Sequence, residues 1–103
     1  MDIDEISRRV RSNQYVYSQH AEIGRREDGL TFAQVEEALL NGRVLEDYPD
    51  TGRGVSCLVV GFCGDTPIHA VCGWRGEKLV LITVYIPRPP KFVDAHTRGG
   101  RNR

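Results

Sequence analysis

Three apolar runs separated by glycine-bearing triplets constrain this chain more than any other feature. Val55 to Phe62, Pro67 to Trp74 and Lys78 to Ile86 are rich in β-branched and aromatic residues, so each reads as a strand. The separators, Gly64-Asp65-Thr66 and Arg75-Gly76-Glu77, are too short for a crossover helix and impose antiparallel hairpins. Pro87, Pro89 and Pro90 end the sheet, because proline supplies no ladder donor. Upstream, Arg43 to Tyr48 reads as a fourth strand, stopped by Pro49.

The segment before residue 43 has a helical period. Ile3, Ile6 and Val10 form one apolar stripe, with Asp2, Asp4 and Glu5 where the helix dipole favours them. Tyr15-Val16-Tyr17 reads as extended chain or a brief strand. Ser18 is placed to cap a helix from His20 to Asp28, ended by Gly29. Thr31 and Gln34 form a capping box for a helix from Phe32 to about Asn41, with Gly42 beyond it. These elements predict an α+β fold, with N-terminal helices packed on one face of a four-stranded, mainly antiparallel sheet. The domain is expected over residues 1–92, and residues 93–103 as a basic, flexible tail.

Alternation assigns the faces. Ile68, Ala70, Cys72 and Trp74 point to the core. A three-residue loop would place Val80, Ile82, Val84 and Ile86 beside them, with Leu58, Val60 and Phe62 also inward. His69 then lies outside the core beside Thr83, with Gly61 opposite and Tyr85 one step diagonal. A slip of one residue inverts every side chain of a strand.

Composition narrows the class. With 40% apolar and 27% charged residues over 103 positions, the chain can bury one small core and is not expected to be disordered. The longest apolar run, Leu79 to Ile86 with Thr83 inside it, is too short to cross a bilayer. An acidic start, Met1-Asp-Ile-Asp-Glu5, does not read as an export signal. Three cysteines without C-x-x-C spacing argue against a disulfide framework or zinc knuckle and suit a reducing cytoplasm. No metal or cofactor motif appears, so none is expected. The net charge of zero hides an asymmetry: residues 1–51 carry 6 basic and 11 acidic side chains, and residues 52–103 carry 8 and 3. Clustered arginine toward the C-terminus is either a solvated tail or a surface that attracts phosphate.

Few residues suggest chemistry. His20 stands in the first turn of a helix, where free N–H groups attract anions; it is equally a helix-start histidine bonded to a carbonyl. His69 is polar within an apolar strand, with Tyr85 and Thr83 as candidate partners; a satisfied structural histidine is the plain alternative. Arg25 and Arg26 point about 100° apart on a helix, so one at most faces a cleft.

Taken in order, Ser18-x-His20-Ala21, Gly29-Leu30-Thr31, Val35-Glu-x-Ala-Leu39, Gly42, Asp47-Tyr48-Pro49, Ser56-Cys57-Leu58, Pro67-x-His69 and Thr83-Val84-Tyr85-x-Pro87 resemble the bacterial family termed domain of unknown function 4258. The resemblance covers roughly residues 15–92. The family's layout is similar to RelE-like and BrnT-like toxins, and some relatives are encoded beside small zinc-finger proteins of antitoxin type. The chain departs from the family at Gly24 and Asp28, where relatives often carry arginine. What the resemblance implies is a toxin-like RNA endonuclease that needs no metal. Its base, acid and positioning groups would be His20, His69 and Tyr85, and Arg25, Arg26, Arg88 and Lys91 would hold phosphate. RNA and a cognate antitoxin are the implied partners. The alternative is a non-catalytic domain that binds protein or nucleic acid. An RNase requires His20 and His69 in one cleft, whereas a binding module requires an exposed apolar patch.

Overall fold

A computed structural model describes residues 1–99. Its elements run α1 (Ile3–Arg11), β1 (Tyr15–Tyr17), α2 (Gln19–Glu27), α3 (Phe32–Leu40), β2 (Arg43–Tyr48), β3 (Ser56–Cys63), β4 (Thr66–Arg75) and β5 (Lys78–Tyr85). Each helix starts where a side chain can satisfy its orphan N–H groups. Asp2 accepts from the amide of Asp4, Ser18 from that of Ala21, and Thr31 from that of Gln34, whose side chain returns the bond to complete the capping box.

The sheet is α+β in class as expected, but it has five strands in the order β1-β5-β4-β3-β2. The addition is β1, which pairs parallel with β5, Val16 lying opposite Val80. The connection through α2, α3 and three strands is long enough to allow this parallel pairing. The other pairs are antiparallel.

Two faces differ from the sequence reading, for one reason. Both hairpins close with two-residue loops, Cys63 opposite Thr66 and Arg75 opposite Lys78, not with triplets. Gly64 and Gly76 turn these loops at φ +60° and +62°. With Cys72 inward, its partner Leu81 is inward too, and Leu79 follows. Val80 and Ile82 therefore face away from the helices. A bulge opposite Val71 and Cys72 then restores the expected phase, so Val84 is in the core and Tyr85 pairs directly with His69. On β3 the expected set is inverted. Cys57 and Val59 meet the helices, while Leu58 and Val60 face the other way, and Val60 replaces Gly61 opposite His69. Gly61 lies under α3, where a β-carbon would come within 1.8 Å of the Ala38 carbonyl oxygen.

The three helices cover one face, burying Ile6, Ala21, Val35 and Leu39 against Val59, Ala70 and Leu81. The other face is partly covered as well. Residues 87–99 fold back over it as a strap, and Phe92, 1% exposed, anchors them. Burying one such ring contributes roughly 1.5–3 kcal/mol. Within the span expected as a flexible tail, residues 93–99 thus contact the sheet; residues 100–103 lie outside the described region. Among the described residues no helix is long and apolar enough to cross a membrane.

Candidate functional site

The face turned away from the helices carries two neighbouring features. The first is a polar cluster under the strap. His69 sits in mid-β4, and alternation turns it away from the core set Ile68 and Ala70. It is 0% exposed. Its Nε2 lies 2.7 Å from the Ala95 carbonyl oxygen, and its Nδ1 lies 3.1 Å from the Tyr85 hydroxyl. A carbonyl only accepts, so Nε2 carries the proton and, in the neutral ring, Nδ1 accepts from Tyr85. Phe92 packs edge-on against the imidazole at 4.5 Å. Burial holds the His69 pKa below its ordinary value and raises that of Tyr85.

Beside this pair, Glu46 and Tyr48 project from β2 two residues apart. Arg98 of the strap clamps Glu46 with two bonds, 2.7 and 2.8 Å, and Tyr48 donates to the same carboxylate at 2.6 Å. The Arg98 bonds pull the Glu46 carboxyl down to about 2, while burial and then the Glu46 bond push Tyr48 up to about 12. Both ring nitrogens of His69 and both oxygens of Glu46 are engaged.

The second feature is an open groove of about 510 Å³ next to Tyr48, between the β2–β3 loop and the far ends of β4 and β5. Val55 and Ile82, 45% and 36% exposed, give it an apolar floor. Arg53 and Arg75 line it, and among the described residues neither makes an ion pair or hydrogen bond. Asp50 shapes the loop by accepting from the amides of Gly52 and Gly54 at 2.8 and 2.9 Å.

The residues expected to work together divide between the two sides of the sheet. His69 and Tyr85 meet, as a direct pair and not one step diagonal, while Thr83, expected beside His69, pairs with Val71. His20 does not join them: it is exposed on α2, in the helix layer, because Ala21 beside it packs into the core with Leu81. The expected single cleft is therefore not formed. Arg25 is 12% exposed, bonded to Glu22 and to the Leu30 carbonyl, and lies 4.0 Å over the Phe32 ring. Its charge ties α2 to α3. Arg26 also pairs with Glu22 but is 74% exposed. Arg88 bonds to Asp28 at 3.0 Å. Lys91 is exposed on the strap, and among the described residues its side chain makes no ion pair or hydrogen bond.

Gly24 and Asp28, where the resemblance would place arginines, have structural roles. A β-carbon on Gly24 would come within 2.3 Å of the Val84 carbonyl oxygen, so glycine lets α2 lie on β5. Asp28 accepts from the Ile86 amide at 2.7 Å and pairs with Arg88, fixing the exit from β5. Glu46, Arg53 and Arg75 did not stand out in the sequence, and Tyr48 and Arg98 did so only as a piece of the resemblance and a member of the C-terminal arginine cluster. The spacing of Glu46 and Tyr48 on a strand was the one available signal, since i and i+2 share a face. Among the described residues no three His, Cys, Asp or Glu side chains gather as a metal site would require.

A three-helix layer on a five-stranded mixed sheet, with a polar cluster and an open groove on the opposite face, defines a small α+β protein. The chain belongs to the family described as Domain of unknown function (DUF4258), whose model matches residues 17–86. Comparison with curated proteins and with solved structures finds no match. The matched span ends at Ile86, so the strap lies beyond it.

Proposed function

We propose that this protein is a binding domain whose open sheet face docks an extended segment of a partner protein. One observation carries the reading: the groove combines an exposed apolar floor, Val55 and Ile82, with two arginines that no carboxylate neutralises among the described residues. Such a lining suits a segment that alternates apolar and acidic side chains. The apolar groups gain from leaving water, and the carboxylates meet planar donors in bidentate geometry. A small antitoxin, the partner class that the family resemblance implies, is one source of such a segment.

RNA cleavage of toxin type is the second reading. It is favoured by the gathering of a carboxylate, an imidazole, two phenols and a guanidinium at Glu46, His69, Tyr48, Tyr85 and Arg98. It requires the strap to move, since a base must reach the ribose hydroxyl.

Binding of a labelled peptide that alternates glutamate with valine, measured beside a single-stranded RNA oligonucleotide, separates the two. The peptide is expected to bind, and the Arg53→Glu/Arg75→Glu variant to lose most of that affinity. RNA that is cut by the wild type and spared by His69→Gln overturns the binding-domain reading.

A further inference from the structure

The strap is a peptide already seated on the sheet, and its contacts specify what that part of the face recognises. Besides the Arg88–Asp28 pair at its start, three points hold it to this part of the face. The Phe92 ring fills the hollow beside His69 and Tyr85, with centroids 4.5 and 6.5 Å away. The Ala95 carbonyl accepts from His69 Nε2. The Arg98 guanidinium reaches Glu46 and also covers Phe92 at 4.8 Å. Aromatic ring, carbonyl and guanidinium thus recur at intervals of three residues.

Apart from the Arg88–Asp28 pair at its start, the strap's other bonds are internal. Phe92 donates its amide to Arg88, Val93 to Thr97 and Gly99 to Lys91. Among the described residues, no main-chain hydrogen bond joins residues 91–99 to the sheet. A strand of the sheet would be held by a ladder, whereas this segment is held by side-chain recognition. The face beneath it, His69 and Tyr85 included, falls inside the family match at residues 17–86, and the strap falls outside. The proline-rich link Pro87-Arg88-Pro89-Pro90 joins the two.

We infer that the patch formed by Glu46, Tyr48, His69 and Tyr85 is a second peptide-binding site, for a partner segment bearing an aromatic residue and an arginine six positions apart, and that the strap occupies it in cis. The strap is then an internal competitor, and a partner gains the site by displacing it. The inference rests on reading the open face as a binding surface, but it uses residues separate from the groove arginines. A tethered competitor acts at an effective concentration in the millimolar range, so a free peptide meets a closed site in the intact protein.

The probe is a synthetic peptide with the sequence of residues 88–99, Arg-Pro-Pro-Lys-Phe-Val-Asp-Ala-His-Thr-Arg-Gly. It is titrated into full-length isotope-labelled protein while the His69 ring signals are followed. Two receptors are compared with the wild type: Phe92→Ala, which empties the hollow and leaves Glu46 clamped, and Phe92→Ala/Arg98→Gln, which frees both anchors. The double variant is expected to bind the peptide at least tenfold more tightly than the wild type, with the His69 signals returning to their wild-type positions. A peptide carrying alanine in place of its phenylalanine is expected to bind at least tenfold more weakly than the unaltered peptide. Equal binding to wild type and variants, or none to a variant whose β4 and β5 amide signals remain dispersed, overturns the inference. If the double variant does not fold, Phe92→Ala decides by the same criteria. Repeating the titration with Arg53→Glu/Arg75→Glu added separates the two sites: unchanged strap-peptide affinity supports the second site even where the groove binds nothing.

Discussion

At position 69 an imidazole is surrounded by Val60, Phe92 and the Tyr85 ring and has no exposure. Burial opposes its charging, and so do Arg98 and His96, while the Ala95 carbonyl and Glu46 favour it; burial dominates. The sign of the pH effect follows. The unfolded imidazole takes up a proton near its ordinary value of 6.5, and the folded one only at lower pH. This contribution to stability is therefore complete above about pH 6.5 and declines as pH falls through the folded value. The denaturation midpoint is expected to drop between about pH 7 and about pH 5, a window above the ordinary carboxylate range. His69→Phe is expected to remove that slope at the expense of absolute stability, because the Ala95 carbonyl and Tyr85 hydroxyl lose their partner. An equal slope in His69→Phe would place the sensitivity elsewhere. The meeting of His69 with Tyr85 was legible in strand alternation. Glu46 and Arg98 were not, because their bond spans residues with no local pattern in common.

Elements whose signals are local were read closely. The Thr31/Gln34 capping box is present with both of its bonds. Thr31→Ala is expected to cost about 1 kcal/mol, read as a shift in denaturation midpoint. Ser18 likewise caps α2 and also donates to the Ile82 carbonyl at 2.9 Å, pinning the helix start to β5. The faces of β3 and β5 were read less well, because alternation gives the two faces but not which one meets the helices. On β5 both faces are apolar, so loop length decided the question, and a two-residue loop inverts what a three-residue loop would place. The bulge after Leu81 then divides the strand into two phases, which alternation cannot anticipate. Leu81, 0% exposed, and Ile82, 36% exposed, make this testable. Leu81→Ala is expected to cost roughly 2–5 kcal/mol and Ile82→Ala clearly less, the reverse of the order that the sequence suggested. Equal losses in urea denaturation would contradict the assigned faces. β1 was read as extended chain or a brief strand but not as part of the sheet, since three residues carry too little pattern to reveal a parallel partner more than sixty positions away.

Across the whole molecule, the opposed charges of the two halves of the chain meet in contacts. Arg88 returns to Asp28 and Arg98 to Glu46. The C-terminal arginines read from sequence as a surface for phosphate are thus partly engaged by carboxylates of the first half, and the groove arginines lie on a different part of the sheet. These pairs hold the strap unequally. Arg88–Asp28 rests on one guanidinium–carboxylate contact, whereas Arg98–Glu46, of similar exposure, is bidentate and backed by Tyr48 and Phe92. Raising salt from about 0.1 M to about 1 M shortens the screening length from about 10 Å to about 3 Å, which weakens both ion pairs and leaves the Phe92 packing and the His69–Ala95 bond in place. Salt alone is therefore expected to accelerate amide exchange at Val93 and Gly99 only slightly. Arg98→Gln removes the charged anchor but keeps some hydrogen bonding, and it is expected to accelerate exchange at those two amides several-fold. The amides of Ala70 and Val84, held in the sheet ladder, are expected to exchange at the wild-type rate in the same variant. That division separates a strap that opens by itself from one that opens only as the sheet unfolds. If Val93 and Ala70 instead accelerate by the same factor, the strap and the sheet form one cooperative unit, and no partner can reach the Phe92 hollow without unfolding the domain.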